Sequence, residues 1–234
     1  MFDDDDVKTI AFALYPGITA LDLVGPLQVC SALADLVPGF RTVVLAQRIE
    51  PMATDTPLSL LPSHTFEEVP APHALIVPGG LLPTLTAMAD ESLLAELRRT
   101  ATRAQLVGSV CTGSLLLGAA GLLEGRRSTT HWMFRHLLPG FGATPVAERW
   151  VEDGPFLMAA GVSAGIDMAL HLVARLAGEQ TARTVQLLIE YDPQAPFGGI
   201  DWATADTGAY RQTAADLLAV ALADHPELHA RLSA

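Results

Sequence analysis

An apolar run over residues 105–110, QLVGSV, stops at Cys111, and a helical pattern begins with the next residue, in TGSLLLGAAGLL. A short apolar run that passes into a helix without a linker is what a buried strand of a parallel sheet produces. The residue squeezed between the two occupies a sharp turn and projects its side chain outward, as the nucleophile does in the elbow of hydrolases. Such positions often hold backbone strain. Cys111 therefore predicts both an architecture and a place for chemistry.

The rest of the chain repeats that alternation. Strand patterns cover residues 7–15, 40–46, 73–77 and 105–110, and a small hairpin fits 52–61. Helical patterns cover 26–36, with Gly25-Pro26 as the start, then 91–103, 112–123, 132–138, 166–177, 181–191 and 210–223. Pro suits a first helical turn, and Gly125 breaks the helix that follows Cys111. Residues 128–130 read as a short extended piece, and 147–160 as a hairpin around Asp153-Gly154. Strands alternating with helices predict an α/β fold: one doubly wound, flavodoxin-like domain over residues 1–234, with a mostly parallel sheet and helices on both faces.

Composition narrows the partners. Half of the 234 residues are hydrophobic, few are aromatic, and the formal net charge is -12, with Lys8 the single lysine. That acidity argues against nucleic acid and against anionic membranes. Part of it lies in the Asp3 to Asp6 run, expected to be a solvated terminus. No basic, then apolar, leader opens the chain, and no apolar stretch reaches membrane-spanning length. Two cysteines far apart make no disulfide framework, and no CxxC or HExxH spacing suggests a metal. The expectation is a cytoplasmic protein without metal or organic cofactor.

In an open parallel sheet, ligands bind outside the carboxyl ends of the strands. Asp22, Gly79-Gly80 and Cys111 all follow strands onto that edge. A helix N-terminus favours a thiolate, so Cys111 is expected to have a depressed pKa, with Thr112 and Gly113 supplying amide donors. The alternative for Cys111 is a buried, inert thiol, the reading that suits Cys30 in the apolar pattern of the first helix. Asp22 is either a helix cap ahead of Pro26 or, facing Cys111, a carboxyl whose pKa burial raises into a proton-transfer role. Gly79-Gly80 form a tight turn or line an oxyanion-type hole. His131 is a satisfied histidine or part of the site, and Asp167 suits a local cap or ion pair.

The segments "PGG", "SVCTGSLLLGAAGLLEGRRSTTHW", "AGVSAGIDMALHL" and "VQLLIEYDPQAPF" resemble the PfpI-like, class-I glutamine amidotransferase-like superfamily, which includes the parkinsonism-associated deglycase. Within it the chain is similar to isocyanide hydratases, which convert R–N≡C and water to an N-substituted formamide. The resemblance spans "LYPGITALDLVGP" to "IEYDPQAPF". It implies a nucleophilic Cys111, an acidic partner in Asp22, and a Thr112 that helps position the acid. It also implies backbone donors at Gly80 and Thr112, a branched packing residue at Val162, a thioimidate intermediate and a homodimer.

Other members act as glyoxalases, deglycases or peptidases, and the same fold serves as the sensor domain of arabinose-operon-type transcription regulators. Those regulators carry a helix-turn-helix module, for which the short helical tail after Tyr210 and the acidity of this chain are unsuited.

Overall fold

The computed structural model describes residues 7–233; the acidic run at Asp3 to Asp6 lies outside them. In chain order come β1 (Lys8–Ala13), α1 (Ala20–Leu36), β2 (Phe40–Ala46), the hairpin strands β3 (Met52–Ala53) and β4 (Ser59–Leu60), and β5 (His64–Thr65). Then follow β6 (Ala74–Val77), α2 (Leu81–Ala87), α3 (Glu91–Ala101), β7 (Leu106–Ser109) and α4 (Gly113–Ala119). The strands β8 (Arg127–Ser128) and β9 (Thr144–Pro145) flank a 3-10 segment, Trp132–Phe141. The chain continues through β10 (Trp150–Asp153), β11 (Phe156–Ala159), α5 (Ala164–Ala177) and α6 (Glu179–Leu188) to α7 (Arg211–Ala221) and α8 (Pro226–Ser233).

The main sheet runs β10-β11-β7-β6-β1-β2-β5. Every pairing in it is parallel except β10 with β11. Its five central parallel strands follow the flavodoxin-like order, with β5 added at one edge and β10 at the other. All residues of β6, β7 and β11 are buried, which explains why these strands read as continuous apolar runs rather than alternating ones. Right-handed crossovers send the first and second windings to opposite faces. Accordingly α1, α5 and α6 pack together, while α4 packs against both α2 and α3, and α7 closes on α2.

Sequence and structure differ at several boundaries. Helix α1 begins at Ala20, and Gly25 and Pro26 lie inside it. Its start is set by a remote group, because Asp55 of the β3–β4 hairpin accepts a hydrogen bond from the Ala20 amide at 3.0 Å. The strand β5 and the helices α2 and α8 have no counterpart in the pattern reading. Helix α2 has the breaker Pro83 in its first turn, where the missing N–H costs nothing. Pro83 also packs against Gly17, at φ +82°, where a Cβ would stand 2.6 Å from the Pro83 ring. The segment after His131 is 3-10 rather than α.

Candidate active site

The chain leaves β1 towards β2 and β5, then returns to β6 on the other side of β1. The crevice at that reversal is where ligands bind in such sheets. Cys111 has φ +57°, a left-handed conformation that only one other non-glycine described residue, Glu190, adopts. For a residue with a Cβ this costs on the order of 1–2 kcal/mol, so the surroundings must hold it.

They do so through backbone. The Thr130 hydroxyl donates to the Cys111 carbonyl at 2.9 Å, and the Val110 amide donates to Val77 O at 3.0 Å. Gly113 lies so close to the end of β6 that a Cβ there would stand 2.1 Å from the Val77 carbonyl oxygen. A Cβ at Gly79 would stand 2.5 Å from the Thr112 nitrogen. These glycines let the loop after β6 lie directly on the elbow.

Thr112 fastens the same contact. Its hydroxyl donates to Gly80 O at 2.8 Å and accepts from the Gly80 amide at 3.0 Å. Asp22 and Thr112 thus hold successive amides, those of Gly79 and Gly80. Tyr15, at the end of β1, adds a brace that the sequence did not reveal. Its hydroxyl donates to Pro78 O at 2.9 Å and lies 2.8 Å from the Thr84 hydroxyl.

Asp22 sits in the first turn of α1 with no exposed surface. It is not a cap for Pro26. Its Oδ2 accepts the Gly79 amide at 3.1 Å, and its Oδ1 is buried with no hydrogen bond of normal geometry. The Cys111 thiol is the polar side chain that interacts with this carboxyl. Burial pushes the Asp22 carboxyl up to about 7, against the opposing pull of the Gly79 amide.

The electrostatics of Cys111 correct the expectation of an acidic thiol. Burial, then the negative charge of Asp22, push it well above its ordinary value, and the Thr112 amide opposes them only in part. The elbow offers few free donors. The Gly79 amide serves Asp22, the Gly80 amide serves the Thr112 hydroxyl, and the Gly113 amide serves Val110 O at 3.0 Å. Of the four amides expected near sulfur, Thr112 alone is directed at it. Cys111 and Asp22 form a like-charge couple that resists carrying two negative charges at once. Cys30, by contrast, is buried in α1, and burial alone pushes it up to about 12.

A cavity of about 730 Å³ is lined by Leu21, His131, Trp132, Gly161 and Val162 among others. Leu21 adjoins Asp22 in the chain, and His131 adjoins Thr130, which holds the elbow. Val162 and His131 share the cavity, whereas Cys111, 2% exposed, does not line it. His131 Nδ1 is buried without a partner; burial, then the nearby Arg135 charge, lower the pKa of the ring. Asp167 stands apart, paired with Arg149 and accepting the Tyr191 hydroxyl at 3.0 Å. Among the described residues no group of three or more His, Cys, Asp or Glu side chains could hold a metal ion.

Residues 8–175 match the DJ-1/PfpI family. The chain belongs to that family. It is 45% identical over 188 residues to the isonitrile hydratase of Pseudomonas putida, an alignment covering 80% of each chain. It is 33% identical over 179 residues to the HTH-type transcriptional regulator CdhR of Pseudomonas aeruginosa, covering 73% of this chain and 51% of the regulator. A crystal structure of a ThiJ/PfpI family protein from Pseudomonas syringae superimposes with a TM-score of 0.82 at 36% identity, covering 97% of this chain and 90% of that one.

Proposed function

We propose that this chain is an isocyanide hydratase, with Cys111 as nucleophile and Asp22 as the proton-transfer group. The observation that carries the reading is the carboxyl of Asp22, buried against the Cys111 thiol with one oxygen unpartnered. The similarity to the Pseudomonas putida enzyme supports the choice of substrate. An isocyanide is compact and nearly apolar at its reacting end, so it suits a buried thiol.

The chemistry balances without a cofactor. With one proton in the couple, its transfer from sulfur to the carboxyl gives a thiolate beside a carboxylic acid. The sulfur attacks the terminal isocyanide carbon, and that carbon takes the Asp22 proton, leaving a thioimidate and a carboxylate. The carboxylate then removes a proton from water as the oxygen adds to the same carbon. The other water proton ends on nitrogen, the C–S bond breaks, and an N-substituted formamide leaves. Asp22 is again protonated and Cys111 again a thiolate. Thr112 positions the elbow and directs its amide to the sulfur, while His131 and Val162 shape the substrate cavity.

The reading includes a homodimer, supported by the exposed apolar side chains Leu187, Leu188 and Phe197 on and after α6. A cytoplasmic setting is supported by the two free thiols. The test is an assay of the purified protein with a simple aryl isocyanide and, in parallel, with methylglyoxal. Formamide from the first is expected; lactate from the second without formamide overturns the hydratase reading in favour of a glyoxalase.

A further inference from the structure

The cavity lined by His131 and Trp132 is not uniformly apolar. Arg135 projects from the 3-10 segment into its wall. Its Nε is buried and has no hydrogen-bond partner, and the side chain makes no ion pair among the described residues. A partly buried guanidinium without a counter-charge is costly. The other charged groups of the cavity are already engaged: Arg149 pairs with Asp167, and Glu148 faces Arg127 at 3.4 Å. His131, four residues before Arg135, adds a second buried nitrogen without a partner on the same wall. Trp132 and Trp202 stand beside them with ring centroids 6.3 Å apart.

We propose that the preferred substrate is an aryl isocyanide bearing a carboxylate, and that Arg135 receives the carboxylate while the tryptophans flank the ring. The two terminal nitrogens of a guanidinium match the two oxygens of a carboxylate. One uncompensated cation suits a monoanion. The net charge of -12 repels anions from most of the surface, so recognition of this group needs the local cation. The inference rests on the hydratase reading for the reacting group, and assigns to Arg135 the specificity for the other end.

The experiment compares binding and turnover. Calorimetry of the wild type with 4-formamidobenzoate and with 4-formamidobenzamide reports binding of the two corresponding products without any reaction. The carboxylate is expected to bind at least about tenfold tighter, as a charge-assisted hydrogen bond allows. Rising ionic strength should narrow the difference. Arg135→Gln should abolish the preference, and Arg135→Lys should keep part of it, since it retains charge without the planar fork. In turnover, 4-isocyanobenzoate should exceed 4-isocyanobenzamide in kcat/KM, with the difference in KM. Equal binding of the two products by the wild type overturns the carboxylate site, as does a preference that survives Arg135→Gln. Hydration of neither isocyanide overturns the hydratase reading and the isocyanide half of this inference. The binding comparison still decides the carboxylate half.

Discussion

Cys111 and Asp22 titrate as a couple, so their pH behaviour belongs to the pair. The proposed mechanism needs one proton between them. Below about pH 7 the buried Asp22 holds its own proton while the thiol keeps another, and no thiolate is available. The expected kcat/KM for an aryl isocyanide therefore falls as pH drops below about 7, approaching tenfold per pH unit. A profile flat from pH 5 to 8 would contradict this. The same burial has a cost in stability. Asp22 is held at about 7 against its ordinary 3.8, so between those values the folded state keeps a proton that the unfolded state releases. Stability then falls as pH rises across that window, by on the order of 4 kcal/mol. Asp22→Asn removes this penalty. It should raise Tm relative to wild type at pH 8, with the gap closing towards pH 4, and a calorimetric series in which the variant melts lower at pH 8 would contradict the account. At this scale the sequence was informative about position and less so about electrostatics. The junction at Cys111 marked the elbow because a strand met a helix there. Burial overrode the helix-terminus argument because the pattern shows where a residue lies along the chain, not how much low-dielectric material covers it.

Helix α1 shows how a positioning element is fixed by partners distant in sequence. Gly25-Pro26 carried the local start signal, yet the helix begins earlier because the Asp55 carboxylate caps the Ala20 amide. That cap orients the turn holding Asp22, and the charge of Asp55 also contributes to raising the Asp22 pKa. Asp55→Ala should cost about 1 kcal/mol, as loss of a cap does, and lower kcat through the displaced first turn. Asp55→Asn keeps an acceptor without the charge. It should shift the acid limb of the pH profile to lower pH with little change in Tm, measured by matched pH–rate and thermal unfolding series. An acid limb unmoved in Asp55→Asn would remove Asp55 from the electrostatics of the site. The helices α2 and α8 escaped pattern reading for related reasons. Each is only about two turns long, and tertiary contacts, such as Pro83 on Gly17, stabilise α2 more than its own periodicity does.

Across the whole molecule, the alternation of apolar runs and helical patterns was enough for the doubly wound sheet, since buried parallel strands and right-handed crossovers leave few other arrangements. The sheet brings residues 22, 79 and 111 together at its reversal. The cavity wall was less legible. Arg135 joins it through a 3-10 turn, and no local motif marks that residue. The proposed assembly has its own expectation. Sedimentation velocity at micromolar concentration should give about twice the 24.8 kDa of one chain, and Leu187→Glu with Phe197→Glu should shift it towards monomer. A monomeric wild type would leave that apolar face without its proposed partner. The central claim is that one buried carboxyl, paired with an elbow thiol, moves the protons of hydration. The most direct measurement is formamide formation by Asp22→Asn from an aryl isocyanide, with alkylation of Cys111 by iodoacetamide followed on the same preparation. General acid–base groups contribute about a hundredfold to ten-thousandfold, so turnover should fall by that much. Alkylation at neutral pH should be as fast as in wild type or faster, because the carboxylate charge that resists thiolate formation is gone. Near-full formamide formation by Asp22→Asn would contradict the account.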